Sequence, residues 1–186
     1  CVVDAGAELG EGTIWDPAAG VLWWIDIYGP TIHRHDPATG ENRSWQAPEY
    51  LGCLGLRAKG GLVLTMASGF HVFDPATGVF TPIADPEADL PDTRFNDGKP
   101  DRFGHFWSGT MFEAPEKTPQ KIGSLYRLGA DGRVRRMLDG IGCSNGLAWS
   151  PDGRVMYFTD SHTNLVWAFD YDTDTGTPHR RRVFVD

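Results

Sequence analysis

Short runs of β-branched and aromatic residues, alternating with polar ones, fill this chain from end to end and recur as a unit. The unit opens with a short apolar stretch, passes a Gly-centred turn and ends in an aromatic-rich strand. Residues 7–26 and 143–160 are the clearest copies; 94–111 and 52–66 are weaker ones. A second hairpin follows each copy, at 31–45, 69–83, 124–138 and 165–178. The first two of these share Asp-Pro-Ala-Thr-Gly. In it, Pro presets φ, Asp bonds the backbone ahead of it and Gly takes the φ > 0 position. Alternation of period two with such turns predicts strands. No segment carries a 3.6-residue stripe of helical length.

Each repeat is therefore two hairpins, or four strands, in roughly 40 to 50 residues, which matches a blade of a β-propeller. The predicted fold is all-β: one propeller domain over residues 1–186, with blades at about 7–48, 50–85, 92–139 and 141–185. Segments 82–92 and 113–121 read as inter-blade loops. Few propellers close with four blades, so the sequence describes either a small ring or part of a larger one.

An apolar fraction of 40% with seven Trp is ample for a core, and no run approaches the roughly 20 apolar residues of a membrane helix. A net charge of −8 argues against nucleic acid as a partner. The one basic run, His179–Arg182, reads as a solvated strand. Neither a membrane nor an obligate protein partner is indicated. Cys1, Cys53 and Cys143 are widely spaced and form no CxxC, so neither a disulfide framework nor a zinc cluster is expected, and a cytoplasmic location is. There is no GxSxG elbow, Walker loop, HExxH or GxGxxG. The six His are scattered and read as surface or turn residues.

The period itself selects candidates. Counting back eight or nine residues from the turn glycines Gly20, Gly104 and Gly153 lands on Glu11, Asn96 and Asn145; the same step in the remaining copy lands on Gly52 or Cys53. In a propeller these positions share one level near the mouth of the central channel. Carboxylate and amide oxygens suit one divalent cation, Ca²⁺, Mg²⁺, Mn²⁺ or Zn²⁺. Asn96-Asp97-Gly98 and Asn145-Gly146 are also strong turn signals, whereas Glu11 between Gly10 and Gly12 is not a turn residue and favours a ligand role. Arg94, two residues before Asn96, shares its face in an extended strand and suits either an anionic or oxygen-rich substrate or a surface salt bridge. Asp26 and Asp160, closing their strands, read as turn acceptors at the far end from Glu11 and Asn145.

Residues 7–15, Arg94–Lys99, Gly109–Met111 and Ser144–Trp149, in this order, resemble the gluconolactonase/regucalcin (senescence-marker-protein) family over nearly the whole chain. The resemblance implies a six-bladed propeller, of which this sequence supplies about four blades, and metal-dependent hydrolysis of a sugar lactone. It implies Glu11 and Asn145 as metal ligands, and Arg94 and Asn96 as substrate contacts, with Asn96 also near the metal. Glu113, one position off the family pattern after Gly-Thr-Met, is carried as a third substrate contact. The family's presumed catalytic Asp lies in a Pro-Asp-Gly segment opening the next blade, beyond residue 186; Pro151–Gly153 is a hairpin turn and does not correspond. On that basis the 186-residue chain alone is expected to be inactive, to expose unpaired sheet edges and to be poorly stable. A related metal-dependent esterase or phosphotriesterase, or a non-catalytic ligand-binding propeller, are the alternatives.

Overall fold

A computed structural model of the chain describes residues 1–118 and 120–186, so Pro119 of the predicted 113–121 loop lies outside the described residues. The described residues form sixteen strands in four sheets and no helix. The first sheet is β1 (Gly10–Asp16), β2 (Val21–Asp26), β3 (Thr31–His35) and β4 (Asn42–Gln46). The second is β5 (Leu51–Leu56), β6 (Leu62–Met66), β7 (Gly69–Asp74) and β8 (Val79–Ala84). The third is β9 (Thr93–Pro100), β10 (Phe106–Phe112), β11 (Gly123–Leu128) and β12 (Val134–Ile141). The fourth is β13 (Ser144–Trp149), β14 (Val155–Asp160), β15 (Leu165–Asp172) and β16 (Thr177–Val185). Every sheet is an antiparallel meander in chain order, as a propeller blade requires. The expected blade limits hold, except that the third blade runs on to Ile141.

Turn chemistry sets the meander. Asp36 Oδ1 accepts from Ala38 N at 2.9 Å, and Gly40, at φ 76°, donates to Asp36 O at 2.7 Å. Asp74 and Gly78 repeat this in the second blade, as do Asp16 with Gly20 and Asp172 with Gly176. Backbone N–H donors from Ala38 and Ala76 hold the Asp36 and Asp74 carboxyls below the ordinary range.

The hydrophobic clusters lie between successive blades. Val21, Trp23 and Ile25 pack on Leu54, Leu64 and Phe73; Phe70 packs on Phe95 and Phe106; Trp107 and Leu125 pack on Met156 and Phe169. As a result β6 and β11, in the middle blades, are buried on both faces, while β2 and β14 alternate. Full burial of both faces requires near-continuous apolar runs, and alternation suits strands with one wet face. Contacts of β1 with β5, β5 with β9 and β9 with β13 line up the first strands about a common axis.

Two buried carboxylates pin the blades. Glu87, in the 82–92 loop, accepts from Thr110 Oγ1 and Tyr126 OH, both at 2.9 Å, tying that loop to the third blade. Asp101, past the far end of β9, accepts from Tyr171 OH at 2.7 Å, His105 Nδ1 at 2.8 Å and Trp107 Nε1 at 3.0 Å. Tyr171 belongs to the fourth blade, so this carboxylate joins the last two blades.

Candidate functional site

Each first strand carries one extra residue near its start. Glu11 pairs with Ile25 and Ile14 with Trp23, so Gly12 and Thr13 face Trp24 alone. Asn145 pairs with Thr159 and Ala148 with Tyr157, so Gly146 and Leu147 face Phe158. Asn96 and Asp97 likewise face Gly109, and Gly52 has no partner between Leu51 and Cys53. Gly12 and Gly146 take the left-handed conformation such bulges need, at φ 63° and 58°. The glycine of the Asn145-Gly146 turn signal thus serves a bulge, while Gly98 pairs with Ser108 in the ladder, and Asn96 and Asn145 are strand residues, not turn residues.

Bulging turns these side chains onto a shared pocket of about 250 Å³ lined by Glu11, Gly52, Asn96, Asn145, Arg94 and Tyr28, with Asp97, Met111 and Cys143. The empty place in the second copy is steric. A Cβ on Gly52 would sit 2.6 Å from Thr65 Oγ1 and 2.9 Å from the Asn96 carbonyl oxygen, so no side chain fits there.

Arg94 is 5% exposed and holds one wall of the pocket. Its Nε and Nη2 grip both oxygens of Glu113, the latter at 3.1 Å, and Nη2 also donates to Tyr28 OH at 3.4 Å. Nη1 donates to Phe95 O at 2.9 Å and to Asn96 Oδ1 at 3.2 Å. Tyr28 OH in turn donates to Glu113 Oε1 at 3.0 Å. All five guanidinium N–H groups are therefore engaged within the chain. Glu113 does not line the pocket; it reaches the site through Arg94 and Tyr28. Of the two roles expected for Arg94, the ion pair is present, and it is buried rather than at the surface.

The oxygens facing the pocket fit a hard cation. Asn145 Nδ2 donates to Ser161 Oγ at 3.1 Å, which leaves its Oδ1 without a donor among the described residues. The Glu11 carboxylate is exposed to the pocket and has no hydrogen-bond partner among the described residues. Asn96 Nδ2 donates to Ser144 O at 3.0 Å, and its Oδ1 keeps one lone pair beyond the Arg94 bond. One carboxylate with amide oxygens and open solvent is a donor set that Ca²⁺ or Mg²⁺ accepts, with water completing the shell. No group of three or more His, Cys, Asp or Glu gathers among the described residues, so any such ion depends on the amides.

The family model described as SMP-30/gluconolactonase/LRE-like region matches residues 9–186. The chain belongs to this family. It is 35% identical over 183 residues to 6-deoxy-6-sulfogluconolactonase of Pseudomonas putida, covering 98% of this chain and 62% of that protein. It is 37% identical over 185 residues to regucalcin of Xenopus laevis, again covering 98% and 62%. Among solved structures, the calcium-binding protein regucalcin of Agrobacterium tumefaciens matches at TM-score 0.90 and 33% identity, over 100% of this chain and 62% of that one. The chain thus spans about 62% of the length of these relatives.

Within the SMP-30/gluconolactonase-like frame, two expectations change. Asp26 and Asp160 are turn acceptors, but they lie at the same end of their blades as the pocket. Antiparallel pairing brings Asp26 opposite Gly10 and Asp160 opposite Ser144. Asp26 binds Glu8 N at 2.8 Å, Leu9 N at 2.9 Å and Gly29 N at 3.1 Å; Asp160 binds Gly142 N at 3.1 Å and Cys143 N at 2.9 Å. Burial raises the Asp26 pKa, yet these N–H donors outweigh it and leave the carboxyl below the ordinary range. Both thus fix the backbone entering the strands that carry Glu11 and Asn145. Second, the spacing overlooked Tyr28, Asp97, Met111 and Cys143. Asp97, whose Oδ1 takes Gly98 N at 2.8 Å, was next to a selected residue, while the other three come from loops and second strands that carry no periodic mark.

Proposed function

We propose that the protein hydrolyses a sugar lactone at this pocket with the help of one divalent cation. The observation that carries this is the pair of oxygen ligands with no partner among the described residues, Glu11 and Asn145 Oδ1, facing one cavity beside the Arg94–Asn96–Glu113 network. The names of the relatives, a sulfogluconolactonase and a calcium-binding regucalcin, support the substrate class and the cation. Glu11 and Asn145 would hold the ion, with Asn96 beside it. When bound, a cation of this kind polarises the lactone carbonyl and lowers the pKa of an attached water. Asn96 and Arg94 orient the sugar hydroxyls, and the long Tyr28–Arg94 bond is the one that yields an N–H to substrate. Glu113 keeps the guanidinium in the plane of the pocket wall. The three free cysteines fit a cytoplasmic setting.

Calorimetric titration of the protein with Ca²⁺, Mg²⁺, Mn²⁺ and Zn²⁺ tests the site, and acid release from gluconolactone tests the reaction. Glu11→Gln and Asn145→Ala are each expected to abolish cation binding and turnover. Lactone hydrolysis that persists in Glu11→Gln, or in a chelated sample, would falsify the metal-dependent reading.

A further inference from the structure

Two sulfur atoms on the same pocket wall have no part in the lactonase reading. Cys143 and Met111 are partners in an isolated antiparallel bridge, flanked by the bond from Phe112 N to Gly142 O at 3.2 Å. Directly opposed residues of an antiparallel pair present their side chains on one face. Cys143 Sγ lies 4.0 Å from Met111 Sδ, and both residues line the cavity. The backbone sets this spacing: Cys143 N is held by Asp160 Oδ1 at 2.9 Å, and Ser161 N donates to Cys143 O at 3.0 Å.

The spacing suits a metal ion. A sulfur–metal bond of about 2.3 Å on either side of the 4.0 Å gap sets the sulfur–metal–sulfur angle at about 120°, a trigonal arrangement with one position open to the pocket. A thiolate with a thioether selects a soft cation, Cu(I) above all, whereas Ca²⁺ and Mg²⁺ prefer oxygen. Asn96 Nδ2, 4.0 Å from Sγ, places an N–H beside the sulfur that carries the charge. We propose that Cys143 and Met111 form a soft-cation site that takes one Cu(I) ion, separate from the oxygen donors Glu11 and Asn145. Binding replaces the S–H bond by S–Cu and releases the thiol proton to solvent; no electron is transferred. An ion there stands beside Asn96 and narrows the cavity, so, granted the lactonase reading, it inhibits the enzyme without displacing the hard cation.

The test is a competition titration with Cu(I) held by a chromophoric chelator under anaerobic, reducing conditions. It uses a Cys1→Ser background, because Cys1 is an exposed thiol. One ion per chain is expected, with a thiolate-to-metal band in the ultraviolet. Cys143→Ser should weaken binding by more than about 100-fold, beyond the cost of losing an outer partner. Met111→Leu, which conserves volume, should weaken it by about tenfold while the fold is kept. Excess Ca²⁺ should leave the bound Cu(I) in place. Unchanged affinity in Cys143→Ser and Met111→Leu, or displacement of Cu(I) by Ca²⁺, overturns the proposal. The readout needs no lactone, so it stands or fails apart from the hydrolytic reading.

Discussion

Arg94 enters the pocket with every N–H donor already engaged, and that changes what kind of residue it is. A guanidinium that serves Glu113, Tyr28, Asn96 and the Phe95 carbonyl at once is the fixture that holds the polar wall together. Lysine keeps the charge but has no planar fork, so it cannot serve Glu113 and Asn96 at the same time. Arg94→Lys should therefore lower stability by about 1–3 kcal/mol, read as a shift of the urea midpoint. Cation affinity at Glu11 and Asn145 should hardly move. An unfolding curve that superimposes on wild type would mean that the network contributes nothing net. Glu11, Asn96 and Asn145 were legible in the sequence because the repeat places them at one step from a turn glycine. Tyr28 and Cys143 were not, since their place depends on which loops meet across blades, and no local period encodes that.

At the scale of the strand, the bulge determines where the side chains point. A left-handed residue after Glu11 and after Asn145 makes one extra position in the ladder, and both side chains turn toward the axis. The two glycines differ in what surrounds them. A Cβ on Gly12 would find nothing closer than Ile25 at 3.6 Å, whereas one on Gly146 would meet Thr159 Oγ1 at 2.7 Å. Gly12→Ala should accordingly cost only the conformational strain, about 1–2 kcal/mol. Gly146→Ala carries the same strain plus a shift of β14, so it should cost more and also loosen cation binding through Asn145. Thermal unfolding followed by titration of both variants separates these effects; equal losses would show that the crowding at Thr159 is relieved without consequence. The strands themselves were readable from alternation and from Asp-Pro-Ala-Thr-Gly. Their bulges were not, because Asn-Gly is the same dipeptide in a hairpin turn and in a bulge.

Across the molecule, the four blades were legible by repetition, but the bonds that fix one blade to the next were not, since they join residues far apart in sequence. Asp101 is the clearest case. Its side chain is fully buried and takes donors from Tyr171, His105 and Trp107, while Arg127 of the third blade caps the Thr175 carbonyl of the fourth at 2.6 Å. Burial raises the Asp101 pKa, but the donors, Tyr171 foremost, outweigh it and hold the carboxyl below its ordinary range. A carboxyl whose folded pKa is lowered stabilises the fold above its unfolded value and loses that contribution as pH falls through the folded value. Asp101→Asn keeps the shape but turns an amide N–H toward groups that are themselves donors. At neutral pH it should cost about 3 kcal/mol. The gap in urea midpoint between wild type and Asp101→Asn should stay constant from neutral pH down to about 5 and then narrow below about 4, as the wild-type carboxyl takes its proton. A gap that holds its size through that range would mean that the blades are joined here by packing of Tyr171 and Trp107 alone, and that the carboxylate charge plays no part.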